Sequence, residues 1–151
     1  MITIQIQEDD FNHHQAYQQL RQAAPDAGAI VTFTGLVREI CEQGDIQHME
    51  LECYPAMAKT TLQNIMTKAS SRWNILACTV IHRTGILHAH EQIVFVGCAA
   101  PHRQAAFDSA SFVMDYLKTE APFWKKEVYP NGAHWVTAKA SDQQARKKWI
   151  K

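Results

Sequence analysis

The sequence predicts an α+β domain with mixed sheets, and three observations carry that prediction. Strand-like runs alternate with two long amphipathic helical stripes. The runs at 75–81 and 93–100 are continuously apolar, as strands buried on both faces are. Pro130-Asn131-Gly132 marks a hairpin turn near the C-terminal end. The predicted order is β-α-β-β-α-β-β-α-β-β.

Each element has a local reason. Ile2, Ile4 and Ile6 alternate with polar residues, the period of a half-buried strand. Asp9-Asp10 offer caps for a short helix ending near Ala23. A turn at Pro25-Asp26-Ala27-Gly28 precedes a strand from Ala29 to Val37, with Val31, Phe33 and Val37 on one face. Thr32, Thr34 and then Arg38 follow the other face by parity. A polar loop, Glu39 to Asp45, leads to a strand with Met49, Leu51 and Cys53 inward.

Pro55 suits the first turn of a helix whose stripe is Ala58, Leu62, Ile65, Met66, Ala69 and Trp73. After the two apolar strands, separated by a turn at Gly85, a second long helix starts near Pro101. Its predicted stripe is Ala106, Phe107, Ala110, Val113, Met114 and Leu117, and Pro122 stops it. Strands at Phe123–Val128 and Trp135–Ala138 flank the hairpin turn. From about Ser141 the tail is polar and basic, mobile unless Trp149 anchors it.

At 151 residues the chain has the size of one domain, taken here as 1–151. A chain of that length buries roughly 68–70% of its unfolded surface, so it needs no disulfide or metal to fold. No apolar run reaches the ~18 residues of a membrane span, and the N-terminus lacks a signal-peptide pattern. The default expectation is a soluble, cytoplasmic protein that does not act at a membrane.

Charge is unevenly spread under a formal net of zero. Residues 1–52 carry nine carboxylates against Arg21 and Arg38, and residues 53–151 carry thirteen Lys/Arg against six carboxylates. Zero net charge argues against nucleic-acid binding, while the basic C-terminal part leaves room for an anion site. No Walker loop, GxGxxG, GxSxG or HExxH is present. Cys41, Cys53, Cys78 and Cys98 have no metal-ligand spacing; three lie in strand-like runs, and only Cys41, in a polar loop, is a candidate reactive thiol. His88-Ala89-His90 reads as a surface turn, with no third metal ligand nearby. No cofactor or metal is expected.

Three local departures from stability-driven design point to chemistry. His102 and Arg103 place cations at a helix start, where the dipole favours anions; a bound anion would resolve the conflict, and so would side chains turned to water. Lys118 lies in the last turn of that helix, and the chain reversal after Pro122 can bring Lys125 near it, with Phe123 and Trp124 as apolar surroundings. The alternative is a solvated basic face. Arg38 ends a strand beside a polar loop and is a weak signal alone. Arg103 and Lys118 are fifteen residues apart on one helix, about 22 Å. Either there are two sites, or one site is completed across a symmetric dimer, with His102 and Arg103 reaching in from the partner copy.

Six segments, in order and over nearly the whole chain, carry a family resemblance. They are 28–38 (GAIVTFTGLVR), 51–58 (LECYPAMA), 80–85 (VIHRTG), 93–103 (IVFVGCAAPHR), 114–127 (MDYLKTEAPFWKKE) and 141–149 (SDQQARKKW). They resemble the large, catalytic subunits of molybdopterin synthase. The resemblance implies an α/β hammerhead-like fold with an added antiparallel β subdomain. It also implies transfer of sulfur from the C-terminal thiocarboxylate of a small ubiquitin-like partner to cyclic pyranopterin monophosphate (precursor Z). The implied assembly is a heterotetramer built on a central large-subunit dimer.

By the same resemblance Lys118 and Lys125 take catalytic positions. Arg38, His102 and Arg103 fall on anion-binding positions, Lys126 and Glu127 lie beside the second lysine, and Phe33 and Met114 line the pocket. The family's pattern has a basic residue before the Val-Arg pair where this chain has Leu36, a departure that bears on Leu36 and not on Arg38. Two other readings stand beside this one: a cysteine-persulfide sulfurtransferase using Cys41, and a non-catalytic docking module for a ubiquitin-like protein.

Overall fold

The computed structural model describes residues 1–41, 43–136 and 140–150, arranged as two four-stranded sheets and four helices. The first sheet has the order β1-β6-β8-β2, built from β1 (Ile2–Gln7), β6 (Ala77–Arg83), β8 (Gln92–Ala100) and β2 (Ala29–Leu36). The pairing of β1 with β6 is parallel and the rest are antiparallel, which makes the sheet mixed. The second sheet is wholly antiparallel, in the order β10-β9-β5-β7. Its strands are β10 (Gly132–Val136), β9 (Phe123–Tyr129), β5 (His48–Cys53) and β7 (Gly85–Leu87). A two-stranded hairpin, β3 (Ile40–Cys41) with β4 (Gly44–Asp45), completes the strands.

The predicted α+β class holds. Strands β6 and β8 are buried on both faces because helices cover both. On one face α2 (Pro55–Trp73) and α3 (Arg103–Thr119) pack Leu62, Ile65, Met66, Ala110, Val113 and Leu117 against Cys78, Val80, Val94, Val96 and Cys98. On the other, α1 (His13–Ala23) lays Ala16 and Leu20 on Ala77, Ile81, Phe95 and Ala99. Leu20 sits so close over Gly97 that a side chain there would collide with it. The second sheet has its own core of Met49, Leu51, Leu87 and Tyr129, closed by Val37 and Ile46.

Several local expectations are corrected. The cap of α1 is Asn12, whose Oδ1 accepts from the Gln15 backbone N–H at 3.0 Å, rather than Asp9-Asp10. The loop at 39–45 contains the β3–β4 hairpin. The turn at Gly85, whose φ of 88° suits glycine, opens directly into strand β7. Phe107 is 58% exposed while Phe112 is buried, because the inward stripe of α3 runs through Ala106, Ser109, Ala110, Phe112, Val113 and Leu117. Phe33 is 42% exposed because β2 is an edge strand. A register shift between Gly35 and Leu36 then sends Val37 into the second core rather than the first.

The basic tail is anchored. Helix α4 (Ala140–Lys147) precedes Trp149, whose indole N–H donates to Asp115 Oδ2 at 2.7 Å and whose ring meets Trp73 and Phe112 edge-on. Of the predicted return strand Trp135–Ala138, residues 137 and 138 lie outside the described residues. Among the described residues no helix is long and apolar enough to cross a membrane.

Candidate active site

The seam between the two sheets collects most of the chemically capable side chains. Helix α3 ends at Thr119, with Lys118 exposed in its last turn and Met114 one turn earlier on the same side. The chain then reverses through Ala121-Pro122 and enters β9 at Phe123. Register sets the faces of β9: Leu51 opposes Lys125 and Met49 opposes Glu127, so Phe123, Lys125, Glu127 and Tyr129 share the inner face. Trp124 and Lys126 take the outer one. There Lys126 Nζ lies 3.0 Å from Glu50 Oε2 and over the Trp135 ring, while Trp124 meets Tyr54 edge-on.

The inner face is electrostatically active. Glu127 is buried, and its Oε1 accepts from the Tyr129 hydroxyl at 2.7 Å. Burial, with the Glu127 carboxylate beside it, pushes the Tyr129 hydroxyl up to about 12. Cys41 reaches into the same neighbourhood from the β3–β4 hairpin. Burial and a hydrogen bond to Glu127 push its thiol up, against the opposing pull of Arg38 and Lys125. The thiol also donates to the Arg38 carbonyl at 3.7 Å. Arg38, exposed just past β2, is held by the buried Val37 before it.

His82 is buried at the end of β6. It ends the run of inward residues Cys78 and Val80 on β6, is 4% exposed, and stacks on Phe123 with ring centroids 3.8 Å apart and an interplanar angle of 11°. Burial lowers its pKa to about 4, and the positive charges of Lys118 and Lys125 push the same way. The imidazole is therefore neutral near pH 7, and its Nδ1–H donates to the Arg83 carbonyl at 2.8 Å.

The structure thus gathers Lys118, Lys125, Glu127 and Arg38 around one seam, with Met114 on its helical side. It does not gather the rest within one chain. His102 is the N-cap of α3 and Arg103 its first residue, at the far end from Lys118. Phe33 stands in the middle of the exposed edge strand β2. Lys126 takes the opposite face of β9 from Lys125, where it pairs with Glu50. Trp124, expected beside the lysines, also faces outward. Sequence reading missed His82 and Tyr129; the one available signal for His82 was a histidine inside an otherwise apolar strand. Among the described residues no group of three or more His, Cys, Asp or Glu side chains can hold a metal ion.

A mixed α+β fold, with helices on both faces of its first sheet and Lys118 and Lys125 at the seam with the second, places the chain in a class of cation-bearing α+β proteins. The model of the MoaE protein family matches residues 6–120. The molybdopterin synthase catalytic subunit of Ralstonia nicotianae is 45% identical over 149 residues, covering 99% of this chain and 85% of that protein. That of Rhizobium meliloti is 45% identical over 152 residues, covering 99% and 97%. A solved structure, the molybdopterin biosynthesis MoaE protein from Burkholderia ambifaria, superposes with a TM-score of 0.85 at 45% identity, covering 99% of this chain and 98% of that one. The chain belongs to the MoaE protein family.

Proposed function

We propose that this protein is the catalytic subunit of a molybdopterin synthase. It transfers sulfur from the C-terminal thiocarboxylate of a small ubiquitin-like subunit to precursor Z, forming the dithiolene of molybdopterin. The observation that carries the reading, beside family membership, is the convergence of Lys118 and Lys125 on His82 from two different elements.

The chemistry fits the residues. The thiocarboxylate brings its own nucleophilic sulfur, so no cysteine of this chain has to react. Sulfur attack on the pterin side chain leaves the partner's terminal acyl group on sulfur, and water then releases that group as a carboxylate. Opening of the cyclic phosphate and attack on the acyl carbon both build negative charge, which fixed ammonium groups stabilise. Lys118 is the acid/base or oxyanion-stabilising group, and Lys125 its companion on β9. Arg38 binds anionic substrate groups, Glu127 orients the Lys125 side of the pocket, and Met114 lines it.

His102, Arg103 and Phe33 serve the site from a second copy of the chain. Two features support this: the ~22 Å between the ends of α3, and the apolar exposure of Phe33, Leu36 and Phe107 around the edge strand β2. A dimer of 1–151 single-domain chains, each carrying one small subunit, is the assembly proposed. The four free cysteines suit a reducing, cytoplasmic setting.

Mixing the purified protein with thiocarboxylated small subunit and precursor Z should yield molybdopterin. Complex formation without product would instead support a docking module.

A further inference from the structure

Tyr129 is a buried phenol that the proposed transfer chemistry leaves without a task. Its ring belongs to the core of the second sheet, 3% exposed in a cluster with Val37, Ile46, Met49, Leu51 and Leu87. It closes β9 just before the turn, opposite Gly132 of β10. Its hydroxyl donates to Glu127 Oε1 at 2.7 Å, the length of a bond to a charged oxygen. Glu127 is itself only 6% exposed, and it lies two residues from Lys125 on the same face of β9. A carboxylate taken out of water is tolerated where donors replace that water, and the Tyr129 hydroxyl is such a donor.

We propose that Tyr129 is a positioning residue for the site, its hydroxyl holding the buried Glu127 carboxylate in place on the inner face of β9 beside Lys125. This rests on the sulfur-transfer reading above and adds a residue to it. A glutamate side chain turns about several bonds, and fixing one of its oxygens removes much of that freedom. The ring that carries the hydroxyl is held in turn by the core packed around it. A cation in the same place would hold the carboxylate too, but would cancel its charge. A neutral phenol holds it and leaves that charge to orient the Lys125 ammonium. Burial, with the carboxylate beside it, pushes the phenol up to about 12, so it remains a donor across the neutral range.

The experiment compares Tyr129→Phe, which keeps the ring in the core and removes only the hydroxyl, with Glu127→Ala and with the double variant. Turnover is measured with thiocarboxylated small subunit and precursor Z, alongside wild type. Tyr129→Phe should lower kcat about tenfold while KM for the small subunit stays within about twofold. In the Glu127→Ala background the same change should alter kcat by less than about twofold, because the hydroxyl acts through that carboxylate. A tyrosine with a structural role alone would slow both backgrounds alike, or neither. Fluorine NMR of the wild-type protein grown with 3-fluorotyrosine supplies a readout independent of turnover and of whether the variants fold. One of the four tyrosine signals should hold its position as the pH rises through the range in which a free fluorophenol ionises. Wild-type kcat in folded Tyr129→Phe, equal losses in both backgrounds, or four signals that all titrate there would overturn the proposal. An inactive wild type would count against the sulfur-transfer reading instead, and the fluorine signals would still decide whether the hydroxyl is held.

Discussion

Lys125 and Lys126 are consecutive residues that β9 sends to opposite faces. Lys125 opposes Leu51 on the inner face, while Lys126 opposes Glu50 on the outer face and pairs with it at 3.0 Å. Neighbouring lysines thereby acquire different tasks, and mutation should separate them. Lys125→Ala should reduce turnover at least about tenfold through loss of a transition-state cation. Lys126→Ala should leave kcat nearly intact and cost ~0.2–1 kcal/mol of stability, the range of a partly exposed ion pair. Steady-state kinetics and denaturant melts on both variants check this.

Lys118 sits at the C-terminal end of α3, where its charge also complements the helix dipole. Lys118→Ala should therefore cost only ~0.3–1 kcal/mol in folding. Its effect on kcat should be far larger, roughly a hundredfold or more. Near-normal turnover would remove Lys118 from the chemistry.

Cys41 lies beside Arg38, Lys125 and Glu127. Its thiol is pushed up rather than down, which disfavours the thiolate a persulfide carrier needs. Cys41→Ala should hold sulfur transfer within about twofold when thiocarboxylated partner is supplied, since that sulfur bypasses the thiol. Abolished turnover in the folded variant would favour the persulfide route.

His82 makes stability depend on pH with a defined sign. Its folded-state pKa of about 4 lies below the ordinary 6.5, so the unfolded chain binds the extra proton in that window. The stabilisation is complete above pH ~6.5 and is lost as pH falls toward ~4, about 3 kcal/mol in all. Urea melts of wild type against His82→Gln across this range should converge as the pH drops. Parallel curves would show that His82 does not titrate this way.

The strands and helices were legible because hydrophobic period announces them: the stripe Ala58, Leu62, Ile65, Met66, Ala69 fixes α2, and the continuous run at Ile93–Ala100 marks a strand covered on both faces. Period says less where an element meets neighbours it cannot foresee. Phe33 has the right parity for burial, yet β2 ends the sheet. Phe107 is as apolar as Phe112, but lies to the side of the stripe that α3 turns inward. In the site, Lys118 and Lys125 were legible from the reversal at Pro122. The outward turn of Lys126 required the register of β9 on β5. His82 required knowing that Phe123 would fold back on the end of β6.

Arg103 begins α3 and Lys118 nearly ends it. If both serve one substrate, each pocket is built from two copies of the chain. Mixing Lys118→Ala with Arg103→Ala protein, each inactive alone, and allowing subunits to exchange tests this directly. In a mixed dimer one of the two pockets has both residues intact, so molybdopterin formation should return toward half the wild-type rate per mixed dimer. If each pocket lay within one chain, every pocket would carry a lesion, and exchange without recovered activity would contradict the shared site.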